Sequence, residues 1–187
     1  VIRNVSYLDF INKVKPAPLP PYTFIKSILA YKDPLNRELV WQIKYKNNKK
    51  AIKIAGQALY DYLLKYKENK IVLIPIPISN KRLRERGYNQ CELLIDEIIK
   101  FDKENKFIKN TSMLKRGIHR EKQTFKNRKQ RIIESENIFS LVPSTNLLNE
   151  KIIIIDDVVT TGSTAKQGYD LFIKHGYKNV EVLSLAR

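Results

Sequence analysis

An α/β fold built on a mainly parallel sheet is predicted by three features of this sequence. The first is Lys151 to Val159, where four consecutive isoleucines, Ile152 to Ile155, run straight into Asp156 and Asp157. So apolar a run suits a strand covered on both faces, as parallel strands are, better than a half-exposed one. The second feature is the stretch immediately C-terminal to it. Thr160, Thr161, Gly162, Ser163 and Thr164 form a small, hydroxyl-rich loop, and a helical pattern then runs from Ala165 to His175 and closes at Gly176. The third is the alternation of strand-like and helix-like stretches along the rest of the chain, which is the signature of βαβ construction. With 187 residues, 43% of them hydrophobic, there is material for one such domain and a small appendage.

Taken in order, residues 1–21 form an N-terminal segment ending in the proline-rich stretch Lys15 to Pro21, an extended linker by composition. Residues 22–187 are expected to form the main domain. Tyr22 to Tyr31 is rich in aromatic and β-branched residues and reads as a strand. Asp33 and Pro34 start a turn, and a short helix from about Asn36 to Lys44 can bury Leu39, Val40 and Ile43. A second helix, Lys49 to Tyr66, repeats Ile52, Ala55, Leu59, Tyr62 and Tyr66 at three- and four-residue steps. Ile71 to Ile78 is the next strand, and its late prolines end sheet pairing near Pro75. A helix through Lys100 buries Leu94, Ile95, Ile98 and Ile99, with Cys91 a small core residue rather than a nucleophile. Ser112 to Lys115 reads as a short strand. Val180 to Leu185 is the last one.

Charge narrows the function classes. Lysine and arginine number 35 against 19 acidic residues, a formal charge of +16, which favours a polyanionic partner or a phosphate-rich substrate. One cysteine excludes an internal disulfide and a multi-cysteine metal site. No apolar run is long enough to span a bilayer and no leader pattern opens the chain, so a cytoplasmic protein without membrane insertion is expected.

The candidate site lies where the apolar strand ends. In an open α/β sheet the carboxyl ends of the strands face the ligand crevice. Asp156 and Asp157 are suited to accept hydrogen bonds from sugar hydroxyls or from a hydrated magnesium ion. The backbone N–H groups and hydroxyls of residues 160–164 suit a phosphate. The stretch after the other strand, Ser79, Asn80, Lys81, Arg82, Arg84 and Arg86 around Glu85, clusters cations beside the same crevice. From Lys115 to Arg131 eight basic residues face Glu121 alone, which reads as a mobile basic loop. His119 reads as a solvated side chain, and Phe125 suits either a stacked base or an anchor for the loop.

The strand, the acidic pair and the Thr160 to Thr164 loop resemble the 5-phosphoribosyl-1-pyrophosphate (PRPP) motif of type I phosphoribosyltransferases. That likeness implies ribose hydroxyls on Asp156 and Asp157 and the 5-phosphate on residues 160–164. Further stretches sharpen it to the ComF family: Ile43 to Lys46, Pro75 to Pro77, Arg82 to Gln90, Leu114 to Arg116, Gln123 to Arg128, Asn137 to Phe139 and Leu183 to Arg187. The resemblance implies a type I phosphoribosyltransferase-like fold, a mainly parallel sheet with helices on both faces and a small N-terminal or hood region. It also implies PRPP with magnesium, a pyrophosphate-facing segment at Ser79 to Arg86, and a closing loop carrying Lys115, Arg116, Arg120, Lys122, Lys126 and Arg128. Single-stranded DNA and proteins of the competence machinery are the partners it implies. Family members commonly carry an N-terminal segment with four zinc-binding cysteines. This sequence has none, either through loss of that segment or because it belongs to a zinc-free branch, and no zinc is expected in it. Two readings stay open, a Mg-dependent phosphoribosyl transfer with pyrophosphate release and a non-catalytic module that binds PRPP, a nucleotide or single-stranded DNA. A hydrolase finds no nucleophile–histidine pairing to support it.

Overall fold

The structure, a computed structural model, describes residues 6–117 and 138–187. Helix α1 (Tyr7–Ile11) opens on a capping box between Ser6 and Asp9, buries Phe10, and donates the Tyr7 hydroxyl to Asp61. Residues 15–17 then lie antiparallel to β1 (Ile25–Leu29): Ala17 N–H donates to Ile28 O at 2.9 Å and Ala30 N–H to Lys15 O at 2.9 Å. The proline-rich stretch therefore covers part of an edge strand, where missing N–H groups matter least.

Asp33 caps α2 (Pro34–Lys46), with Pro34 in the first turn, and Asn47 ends it in the left-handed region at φ 46°. Asn48 at once caps α3 (Lys49–Leu63), whose residues Ile52, Ala55 and Leu59 are buried as their spacing required. Strand β2 (Ile71–Pro75) is buried throughout and stops at Pro75. The basic stretch after it is itself helical: α4 (Asn80–Arg86) starts on the Ser79 side chain and closes at Gly87, φ 78°. Asn89 caps α5 (Gln90–Phe101), and its side chain also donates to Ile76 O at 3.0 Å, tying that helix start to the end of β2. Next come β3 (Phe107–Lys109), β4 (Leu114–Arg116), β5 (Phe139–Leu141), β6 (Lys151–Val158), α6 (Ser163–Lys174) and β7 (Val180–Ala186).

The five-stranded sheet has the order β1-β7-β6-β2-β3, and every pairing in it is parallel. Parallel crossovers are right-handed. The connections β1 to β2 and β2 to β3 run one way across this order, so α3 and α5 share a face, where they pack on each other. The connection β6 to β7 runs the other way and puts α6 on the opposite face. The predicted α/β class, a parallel sheet with helices on both faces, is what the chain adopts. Strands β4 and β5 form a separate antiparallel pair that leans on α6. No helix among the described residues is long and apolar enough to cross a membrane.

Candidate functional site

Neighbouring strands β6 and β2 send their connections in opposite directions, which makes the gap between their carboxyl ends the topological switch point of the sheet. A cleft of about 380 Å³ opens there, a size suited to a small phosphorylated ligand.

Its floor is the end of β6. The pairing continues past the strand ends, with Ile76 N–H donating to Ile155 O at 2.9 Å and Val159 N–H to Ala186 O at 3.0 Å. This holds Asp156 and Asp157 rigidly at the cleft, 8% and 5% exposed. Asp156 accepts the Asp157 N–H at 2.8 Å and Asp157 accepts the Val158 N–H at 2.7 Å. Burial, and then the neighbouring charge of Asp157, push the Asp156 carboxyl up to about 7.

One wall is the turn from β6 into α6. Gly162 adopts φ 82°, and a β-carbon there would lie 3.0 Å from Pro21 Cγ, 3.1 Å from Tyr22 Cε2 and 3.2 Å from Ile25 Cδ1. Glycine is thus needed both for the backbone twist and for the close approach of the chain before β1. Gly162 offers α6 no capping side chain; the Ser163 N–H donates to the Thr161 hydroxyl at 3.4 Å, that hydroxyl lies 3.2 Å from the Ser163 hydroxyl, and the residues that open the helix line the cleft. Such a helix start holds partial positive charge, and the N–H groups beyond Ser163 have no capping side chain, the two requirements of an oxyanion site.

The opposite wall is cationic. Arg82 and Arg86 reach it from α4 and Arg116 from β4. Arg86 donates to the Gln90 side chain at 3.0 Å and lies over the Tyr45 ring. Arg116 donates to Pro77 O at 3.2 Å and lies over the Phe139 ring, its guanidinium pKa lowered by burial and by Arg82.

Of the residues singled out from sequence, Asp156, Asp157, Thr160, Thr161, Gly162, Ser163, Thr164, Arg82, Arg86 and Arg116 line this one cleft. Ser79 serves instead as the cap of α4, accepting from Arg82 N–H at 3.3 Å. Asn80, Lys81 and Arg84 sit on that helix outside the lining, with Lys81 beside Glu85 at 3.9 Å. Lys115 and Arg116 belong to β4 rather than to a loop, and the Lys115 ammonium donates to Thr111 O at 3.1 Å. Arg120, Lys122, Lys126 and Arg128, with His119 and Phe125, lie outside the described residues.

Sequence reasoning missed Lys44, Tyr31 and Tyr45 as lining residues. Lys44 reaches Asp157 Oδ2 at 3.2 Å from the last turn of α2. The stretch Ile43 to Lys46 carried a hint of it, but nothing local placed that turn at the sheet end. Among the described residues no three or more histidine, cysteine or acidic side chains cluster as a metal cage would require. Two adjacent carboxylates fit a hydrated cation that brings most of its own oxygen ligands, as magnesium does when it travels with phosphates.

No family model matches the chain. Among curated proteins it is similar to Competence protein F of Haemophilus influenzae, 34% identical over 62% of this chain and 49% of that protein. It is similar to Competence protein ComFC of Bacillus subtilis, 30% identical over 74% of this chain and 53% of the relative. With Competence protein ComFC of Streptococcus pneumoniae the identity is 33% over 72% and 56%. The chain therefore spans about half the length of these relatives. Among solved structures it is similar to a hypoxanthine phosphoribosyltransferase from Staphylococcus aureus, 14% identical, covering 75% of this chain and 65% of that one, with a TM-score of 0.46.

Proposed function

We infer that the chain belongs to the ComF family, and on that premise we propose that its cleft binds PRPP and transfers the phosphoribosyl group to an acceptor. One observation carries the proposal. An acidic pair, an uncapped helix start flanked by hydroxyls, and three arginines converge on a single cleft of sugar-phosphate size.

In this reading residues 160–164 take the 5-phosphate through the N–H groups of α6. Asp156 and Asp157 accept the ribose hydroxyls and fix the sugar. Arg82, Arg86 and Arg116 face the diphosphate. The bond from the anomeric carbon to the diphosphate oxygen breaks with its electron pair on oxygen, and the acceptor's lone pair forms the new bond to that carbon. Positive charge builds on the sugar as this happens, beside the buried carboxylates, and negative charge grows on the leaving group beside the guanidinium groups. A magnesium ion held with the diphosphate would supply further neutralisation of that leaving group. Orientation and electrostatics account for the chemistry without a covalent nucleophile.

A role in competence, the word that the relatives' names carry, is part of the proposal, with single-stranded DNA as a partner for the basic surface. A binding-only module uses the same cleft and differs in turnover. Calorimetry of PRPP with magnesium, wild type against Asp156→Ala/Asp157→Ala, tests the site. Binding that the double variant loses supports it, and absence of wild-type binding in a folded sample refutes it. Diphosphate release with a panel of acceptor bases then separates enzyme from binding module.

A further inference from the structure

We propose that Lys44 is a positioning residue of this cleft, which orients Asp157 for the ribose through their ion pair. The proposal rests on the PRPP reading above. It begins from the pleat of β6. Successive side chains of a strand point to opposite faces, so Asp156 shares a face with Ile154 and Asp157 does not. Ile154 faces α6, since its Cδ1 lies 3.8 Å from where a β-carbon on Gly168 would be. Asp157 therefore leans toward the side of α3 and α5 while still lining the cleft, and Lys44 meets it there.

Its Oδ1 accepts the Val158 N–H at 2.7 Å. Its Oδ2 is buried and accepts no hydrogen bond of good geometry among the described residues, although the Lys44 ammonium lies 3.2 Å away. Charge, rather than a directed hydrogen bond, thus governs this oxygen. A buried anion with one bare oxygen is costly and can turn about its own bond, whereas a nearby cation offsets the burial and fixes the orientation. Lys44 is placed to do this, since its side chain is 20% exposed and lines the cleft.

The turn that carries Lys44 is itself pinned. The Tyr88 hydroxyl donates to Ile43 O at 2.8 Å and accepts from Asn47 N–H at 3.2 Å, closing both ends of the residues around Lys44. Tyr88 follows Gly87 directly after α4. One side chain therefore couples the turn holding Asp157's cation to the helix that presents Arg82 and Arg86.

The test is calorimetry of ribose 5-phosphate and of PRPP with magnesium, on wild type, Lys44→Met, Lys44→Arg, Asp157→Asn and the Lys44→Met/Asp157→Asn pair. Lys44→Met is expected to weaken both ligands by the same factor, about tenfold. Lys44→Arg restores part of the loss, and Lys44→Met adds nothing in the Asp157→Asn background. Tyr88→Phe gives the same pattern at smaller size and decides the matter if Lys44→Met does not fold. A loss confined to PRPP means that Lys44 meets the diphosphate directly and overturns the proposal. So does an equal loss in both backgrounds, or unchanged affinity in folded Lys44→Met. A wild type that binds neither ligand overturns the PRPP reading and this inference with it, whereas wild-type binding with an inert Lys44 overturns this inference alone.

Discussion

Replacing Gly162 with alanine separates two costs that the cleft loop bears at once. The first is conformational: at φ 82° an L-residue is held in the left-handed region, at about 1–2 kcal/mol. The second is steric, because the new methyl would lie 3.0 to 3.2 Å from Pro21, Tyr22 and Ile25. Ile25 is fully buried in the core, so it has little room to give, and overpacking of this kind costs about 1–3 kcal/mol. Gly87 supplies the control. It has φ 78° and nothing within 4 Å of the position of its missing β-carbon, so Gly87→Ala carries the conformational cost alone. Urea denaturation should place Gly162→Ala about 1–3 kcal/mol below Gly87→Ala, a further drop in Tm of roughly 2–12 °C for a chain of this size. Because the strain falls on the residue before α6, ribose 5-phosphate binding should also weaken in Gly162→Ala. Equal stability of the two variants would refute the close-approach argument, leaving only the backbone twist.

Two further perturbations probe the interior. Asp156 has its carboxyl raised from 3.8 to about 7, by burial first and by the charge of Asp157 second, so the ligand-free fold holds a proton that the unfolded chain has already released. Stability should therefore fall as pH rises from about 4 through 7. Asp156→Asn, which cannot ionise, should exceed wild type at pH 8 by up to ~4 kcal/mol and match it near pH 4; melting curves that show no pH-dependent gap would remove the burial argument. Gly56→Ala would set a methyl 2.4 Å from Glu97 Cβ, where α3 and α5 pack. It should cost about 1–3 kcal/mol by denaturant midpoint while leaving PRPP affinity in the folded protein unchanged, because the contact is remote from the cleft lining.

How much of the molecule was legible in the sequence depended on the range of the interactions involved. The β6 stretch could be read because its strand, its acidic pair and its loop are consecutive, and burial on both faces leaves an unbroken isoleucine run. Helices α3 and α5 could be read because each has a periodic apolar face. Helix α4 lacks one, having no buried residue, so its seven residues read as a charged run, and the flanking cap residues Ser79 and Gly87 were the local signal that went unused. Strands β3 and β5 have three residues each, too few for an alternation to register. Arg116 was grouped with a basic loop because the short strand expected from Ser112 to Lys115 was ended one residue before it, where the run of charge begins, whereas the strand continues through Arg116 and its side chain donates to Pro77 O. Lys44 could not be placed at the site for a different reason: its partner lies more than a hundred residues further along the chain, and only the β1-β7-β6-β2 order brings them together.

The same order explains why the cleft has charge of both signs rather than one. Anions and cations arrive from different layers: the carboxylates on β6, Lys44 from α2, Arg82 and Arg86 from α4, and Arg116 from β4. Lys44 is matched to Asp157, but the arginine wall places like charges together: the Arg116 guanidinium is lowered by burial first and by neighbouring Arg82 second. Crowded cations that are already held in place gain more from an anion than isolated ones, since the anion relieves their repulsion without reordering them. The α6 start, across the acidic floor, is a second and separate attractor for negative charge. A ligand with one phosphate satisfies one of these two walls. A ligand with anionic groups at both ends and a hydroxyl-bearing centre satisfies both walls and the floor together. On this geometry a doubly anionic sugar should bind more tightly than ribose 5-phosphate by a factor that collapses when Arg82 and Arg116 are both replaced with alanine.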